Sequence, residues 1–123
     1  MRLNALLSVS LLALSIPAYA NSISHAQLLQ HGGIADTQVY AFVSGTLSGI
    51  DWTSNWSEAD GIMPLYCPPA DTGLSAETLW SLVNEFLHKQ THYTPHDSFG
   101  LTAIAALQEK FPCNSWQART GFQ

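Results

Sequence analysis

Basic residues are scarce in this chain. It has four Lys and Arg against nine Asp and Glu in 123 residues, and one of the four, Arg2, belongs to the extreme N-terminus. Nucleic acid and anionic lipid surfaces require clustered positive charge, so both are excluded as principal partners and a basic partner is favoured. Cysteine is scarcer still: two in all, Cys67 in "LYCPP" and Cys113 in "KFPCNSW". Such a pair can be a nucleophile with a bystander, half of a metal site, or a staple. There is no Gly-x-Ser-x-Gly, no glycine-rich phosphate loop and no His-Glu-x-x-His, so nothing supplies a nucleophile with a base and no enzyme is expected. Internal repeats, low-complexity tracts and linkers are also missing.

The N-terminus sets the compartment. "MRLNALLSVSLLALSIPAYA" places Arg2 before an apolar run from Ala5 to Ile16, then Pro17 and the small-x-small triplet Ala18-Tyr19-Ala20. This is the pattern of a secretory signal peptide, residues 1–20, cleaved after Ala20. The run is shorter than the ~20 apolar residues that span a bilayer, and no later stretch reaches that length. The expected mature chain, residues 21–123, is one domain acting outside the cytoplasm, where disulfides persist. Its basic residues are Lys89, Lys110 and Arg119.

Apolar spacing along the mature chain predicts an all-α fold, a small bundle of about four helices. In "SISHAQLLQHGG", Ser24 caps a short helix with Leu28 and Leu29 on its apolar face, and Gly32-Gly33 stops it. A second helix capped by Asp36 carries Val39, Phe42, Val43, Thr46, Leu47 and Ile50. Its Gly45 and Gly49 lie four apart on one face, which favours another helix of the same chain crossing closely there over a dimerisation motif. Residues 53–74, with three prolines and two glycines, read as a long loop between the second and third helices. Loops of this length in small domains tend to be functional. Ser75 then caps a third helix, with Glu77 in its first turn and Leu79, Leu82, Val83, Phe86 and Leu87 on its buried face. Thr94-Pro95-His96-Asp97 reads as cap, helix-starting proline and acid. It opens a fourth helix through Phe99, Ala103, Ile104, Leu107 and Phe111 to Pro112.

With two cysteines in an oxidising compartment, a Cys67–Cys113 disulfide is the structural reading, ahead of a free thiol. Pro112 ends the helix so that Cys113 can pin the loop holding Cys67. His88, His92 and His96 are spaced four apart, as zinc ligands on a helix would be. Pro95 breaks that face, however, so no metal or other cofactor is expected. "NWS" at 55–57 matches a glycosylation triplet that is common by chance. The unusual feature is Trp52, Trp56 and Tyr66 near Asp51, Glu58 and Asp60: aromatic anchors among acids, or aromatics covering the core.

The succession "QLLQHGG", "VYAFVSGTLSGI", "LYCPP", "SAETLWSLVNEFL" and "AIAALQEKFPCNSW" resembles the Rap/Tai-type immunity proteins over roughly residues 24–116. These are small helical, disulfide-bonded periplasmic partners of peptidoglycan amidase effectors delivered by type VI secretion. The resemblance implies a periplasmic inhibitor, a homodimer, and an amidase active site as its target. Family members commonly carry a further cysteine pair, whose matching positions here are Gly32 and Val43. The joint loss leaves Cys67–Cys113 as the retained bridge, and the segment from Trp52 to Cys67 is longer than usual.

Under that reading the partner-binding residues are Trp52, Trp56, Glu58, Asp60 and Tyr66, with His92 and Tyr93 as a second surface. An acidic loop with tryptophans suits an enzyme that presents basic surface to anionic peptidoglycan. Two other classes fit the same residues: a small helical periplasmic chaperone, which would respond to acid, and an envelope-binding module that shares the fold without the toxin partner.

Overall fold

The computed structural model describes residues 22–117. The signal peptide read at 1–20 and Arg119 lie outside them. Four α-helices follow in chain order: α1 (His25–Gln30), α2 (Thr37–Ala59), α3 (Ala76–Lys89) and α4 (Phe99–Lys110), with one 3-10 turn at Gly33–Ala35 before α2. The described residues form no strand, only an isolated bridge between Ser24 and Ser98. The all-α expectation holds, and so does the Cys67–Cys113 disulfide, whose Cα atoms are 5.0 Å apart.

Three of the four helices start at a residue whose side chain caps them; Ser98 before α4 makes no such bond. The Ser24 hydroxyl accepts the Gln27 N–H, and the Gln27 side chain accepts the Ser24 N–H, a reciprocal box that satisfies two donors α1 would otherwise leave open. Asp36 accepts from Gln38 and Val39, and Ser75 from Thr78. Gly32 and Gly33 both have positive φ, at 115° and 66°, which lets the chain turn sharply from α1 into α2. α3 packs against both α2 and α4. Its Leu79, Trp80, Val83 and Phe86 meet Val39, Val43, Leu47 and Ile50 of α2 and Phe99, Ala103, Ala106 and Leu107 of α4 in one buried cluster. Side chains such as Leu79, Phe99 and Leu107, with no exposed surface, each contribute roughly 1.5–3 kcal/mol by leaving water. Leu29, expected on the buried face of α1, is 51% exposed; a helix of under two turns buries only one row, and Leu28 fills it.

Three boundaries and contacts differ from expectation. α2 continues to Ala59, so residues 53–59, read as loop, are helix and the connection to α3 is 60–75. No glycine or proline interrupts 50–60, and Ser54 continues the buried row of Val43, Leu47 and Ile50 as a small residue. The helix ends at Gly61, φ 74°, where the Gly61 N–H reaches the Glu58 carbonyl and the Ile62 N–H the Ser57 carbonyl. That is the Schellman arrangement, which needs a residue at ease in the left-handed region.

α4 begins at Phe99, not at Pro95. Thr94 and Asp97 make half of the expected box, Thr94 N–H to Asp97 Oδ2 at 2.7 Å; the Asp97 N–H goes instead to the Thr94 carbonyl at 3.1 Å and the Thr94 hydroxyl accepts the His96 N–H at 3.2 Å, and these bonds close a single turn. Ser98 is then drawn out of helical geometry by the segment before α1: the Phe99 N–H donates to the Ile23 carbonyl at 2.8 Å and the Ala26 N–H to the Pro95 carbonyl at 2.9 Å. Lastly, no helix among the described residues crosses α2 at Gly45 and Gly49. A Cβ built at either would meet nothing within 4 Å, and both are exposed.

The connection 60–75 is stitched down at its centre. The Leu65 N–H donates to Ser54 Oγ at 3.1 Å, the Tyr66 hydroxyl donates to Asp51, and the Cys67 N–H donates to the Phe111 carbonyl at 2.9 Å. The disulfide closes a chain separation of 46, which in the loop-entropy account stabilises by roughly 4 kcal/mol. Replacing both cysteines, Cys67→Ser with Cys113→Ser, is therefore expected to lower the unfolding free energy by about that amount in urea titrations. A loss below about 1 kcal/mol would mean that the hydrogen bonds of 65–67 hold the segment without the bridge.

Candidate protein-binding surface

The distal half of α2 rests on the core by one row only, Ile50 and Ser54. On the opposite side, Trp52 and Trp56 are 75% and 68% exposed. At 100° per residue they share a face one turn apart, in line with Gly45 and Gly49, so the helix surface is flat for two turns and then rises into two indoles. The Trp56 Nε1–H donates to Asp60 Oδ2 at 2.7 Å, which fixes the ring along the helix end. Monomeric proteins seldom leave two large aromatics this open side by side, and such rings are the usual energetic centres of protein interfaces. Ile62 and Met63, just beyond the helix, are exposed as well.

One residue round the helix lies a different surface. Asp51, Asn55 and Glu58 occupy successive turns of α2 and form one wall of a groove of about 340 Å³. Pro64, Tyr66, Cys67, Pro68 and Trp116 line the rest, with Ser54 also contributing. The disulfide and the 65–67 hydrogen bonds hold that second wall in place. Trp116 is positioned by a turn after the disulfide, its N–H on the Cys113 carbonyl at 3.1 Å.

Of the residues singled out in the sequence, Trp52, Trp56, Glu58 and Asp60 thus come together on or beside the end of α2. Tyr66 does not join them as an exposed anchor. It is 5% exposed, its ring sits 6.2 Å from Phe111, and its hydroxyl is committed to Asp51. Burial, and after it the Asp51 carboxylate, pushes the Tyr66 phenol far above its ordinary pKa. His92 and Tyr93 lie apart, on the connection from α3 to α4. His92 is exposed, whereas the Tyr93 ring packs 5.6 Å from Phe86 and its backbone is held by the Gln90 side chain at both N–H and carbonyl. His88 donates Nδ1–H to the Asn84 carbonyl at 2.6 Å, and among the described residues no group of three or more His, Cys, Asp and Glu is placed to hold a metal. No helix among them is long and apolar enough to cross a membrane.

Asn55 and Trp116 are groove residues that the sequence reading passed over. The row Asp51-Asn55-Glu58 becomes visible once 50–60 is recognised as helix, and the absence of a breaker there was the signal. Trp116 could have been suspected from its place three residues after a disulfide cysteine. Compared with family models, with curated proteins and with solved structures, the chain matches none.

His25 was also passed over. It is 5% exposed, stacks on Trp80 at 4.7 Å and meets Asn84 Oδ1 through Nε2 at 2.5 Å. Since that oxygen accepts, Nε2 carries the proton, and the buried Nδ1 is left with no partner. Desolvation lowers the pKa of His25, opposed by the Asn84 hydrogen bond and assisted by nearby His88. The unfolded chain then takes up the proton first, below about pH 6.5. The His25 contribution to stability is whole above that pH and is lost as pH falls toward the lowered folded value. Urea titrations between pH 7.5 and pH 5 should show stability declining by up to about 1.4 kcal/mol per pH unit from this site, a component absent in His25→Gln. An identical decline in both proteins would show that His25 is not its source.

Proposed function

We propose that this chain is a periplasmic immunity protein that binds and blocks a peptidoglycan amidase delivered by type VI secretion. It acts by occupying the enzyme's cleft, not by catalysis. The resemblance along residues 24–116 supports this reading, and the single observation that carries it to a surface is the open pair Trp52 and Trp56 on a helix backed by a disulfide-braced core. Occlusion needs a rigid element that keeps its shape on binding, because ordering a floppy one would consume the interaction energy. A capped, Schellman-terminated helix end meets that need. The periplasmic location belongs to the same proposal, as does the homodimer that the resemblance implies, which sedimentation equilibrium of the oxidised chain reads directly.

A small acid-responsive chaperone is the second reading, favoured by one observation: the buried, half-partnered His25 between α1 and α3, where burial disfavours a charged ring. Such a protein would bind many clients loosely, and more of them at low pH.

The deciding experiment immobilises residues 21–123, oxidised, and measures capture of a peptidoglycan amidase from the parent cell's secreted proteins together with loss of its activity. Capture with inhibition at neutral pH is expected. Trp52→Ala and Trp56→Ala should each weaken it by at least about 30-fold, the scale of an interface hot spot, with the thermal midpoint unchanged because neither ring is in the core. Promiscuous capture that grows on acidification would support the chaperone reading, and absence of any capture would leave an envelope-binding module.

A further inference from the structure

Charge around the groove beside α2 is one-sided. From residue 22 to residue 88 there is no Lys or Arg, whereas Asp36, Asp51, Glu58, Asp60, Asp71, Glu77 and Glu85 all fall in that span. The two basic residues described, Lys89 and Lys110, lie together between α3 and α4, where Lys89 pairs with Glu85. The Glu58 carboxylate has no hydrogen-bond or ion-pair partner among the described residues, and Asp51 uses one oxygen on the Tyr66 hydroxyl and keeps the other. Asn55 stands between them with an amide oxygen to offer, and the Trp116 ring lines the groove opposite, a face that attracts cations. Carboxylates, an amide oxygen and an indole around about 340 Å³, with no Lys or Arg among the described residues that line it, complement one kind of side chain.

We propose that this groove seats an Arg or Lys side chain projecting from the partner protein, with Glu58 and Asp51 taking its charge and Trp116 covering its stem, while Trp52 and Trp56 pack the apolar surface around it. This rests on the reading of the chain as a protein inhibitor and adds the chemistry of its partner: a basic protrusion, not an acidic or purely apolar one. Guanidinium fits better than ammonium, because its planar donors can meet Glu58 and Asn55 together while its face lies on the indole. The excess of acidic over basic residues also attracts a basic partner from a distance, so association slows as salt rises.

The test uses isotope-labelled, oxidised residues 21–123 titrated at fixed ionic strength with N-acetyl-arginine amide, and with N-acetyl-glutamine amide as an uncharged control. The Trp116 indole N–H and the Asn55 side-chain amide should shift along a saturating curve with the arginine probe alone. Glu58→Gln should weaken that curve at least threefold, whereas Glu77→Gln, which removes the same charge from the start of α3, should leave it unchanged. Shifts that do not saturate, that match the glutamine control, or that are the same in both variants would overturn the proposal. The two levels separate in the amidase experiment. If the amidase is captured and Glu58→Gln does not weaken it, the groove assignment falls and the immunity reading stands; if the probe binds at the groove and no amidase is captured, the reverse holds.

Discussion

Everything at the α2 end of this molecule depends on the pinning of residues 65–67. Three hydrogen bonds and one disulfide fasten a short extended piece of the connection to α2 on one side and to the end of α4 on the other. α4 packs on α3 and α3 on α2, so without this stitch the last turn of α4 and the last turns of α2 would be joined only through the helix between them. With it, the end of α2 has a fixed neighbour, and the space left between the two is the groove. The buried Tyr66 hydroxyl shows the logic at one atom. Its ring fills the core beside Phe111 and its O–H donates to Asp51, so a core residue and a groove residue are set by the same contact.

The rest of the surface follows from how little α2 buries in its second half. A helix committed to the core by a single row presents the remainder of its circumference outward, and here that circumference divides by chemistry. One face carries two indoles, the neighbouring flank two carboxylates and an amide, and the helix terminus is closed by Gly61. Flat small residues at Gly45 and Gly49 leave the approach to the indoles unobstructed. A rigid, mixed apolar and acidic ledge of this sort is suited to engaging a basic protein, which is why the immunity reading and the chemistry of the groove support one another while resting on different residues.

Much of the architecture was legible in the sequence because local signals agreed with the final packing. Ser24, Asp36 and Ser75 each cap the helix they were expected to cap, and the apolar rows of α3 and α4 are buried as their spacing implies. The failures have identifiable physical sources. Reading 53–74 as one loop cuts α2 short because it groups the prolines and glycines, all at or beyond Gly61, with the mainly polar residues 53–60, where nothing breaks a helix. The fourth helix was started too early because Thr94 to Asp97 has the chemistry of a helix start, and only the pairing of residues 23–26 with 95–99, a contact between distant parts of the chain, pulls Ser98 away from it. Gly45 and Gly49 pointed to a crossing helix by analogy of spacing, and spacing alone does not say which side of a helix faces inward. Tyr66 was assigned to the surface for its company of acids, one of which turned out to be its buried hydrogen-bond partner.

The most direct measurement is hydrogen–deuterium exchange of oxidised residues 21–123, alone and with the proposed amidase partner bound. Protection gained by the complex should concentrate in residues 49–60 and in the 64–68 segment that faces them. Protection confined instead to the α3 to α4 connection around His92, or to the outer face of α4, would place the interface elsewhere and contradict the account given of α2.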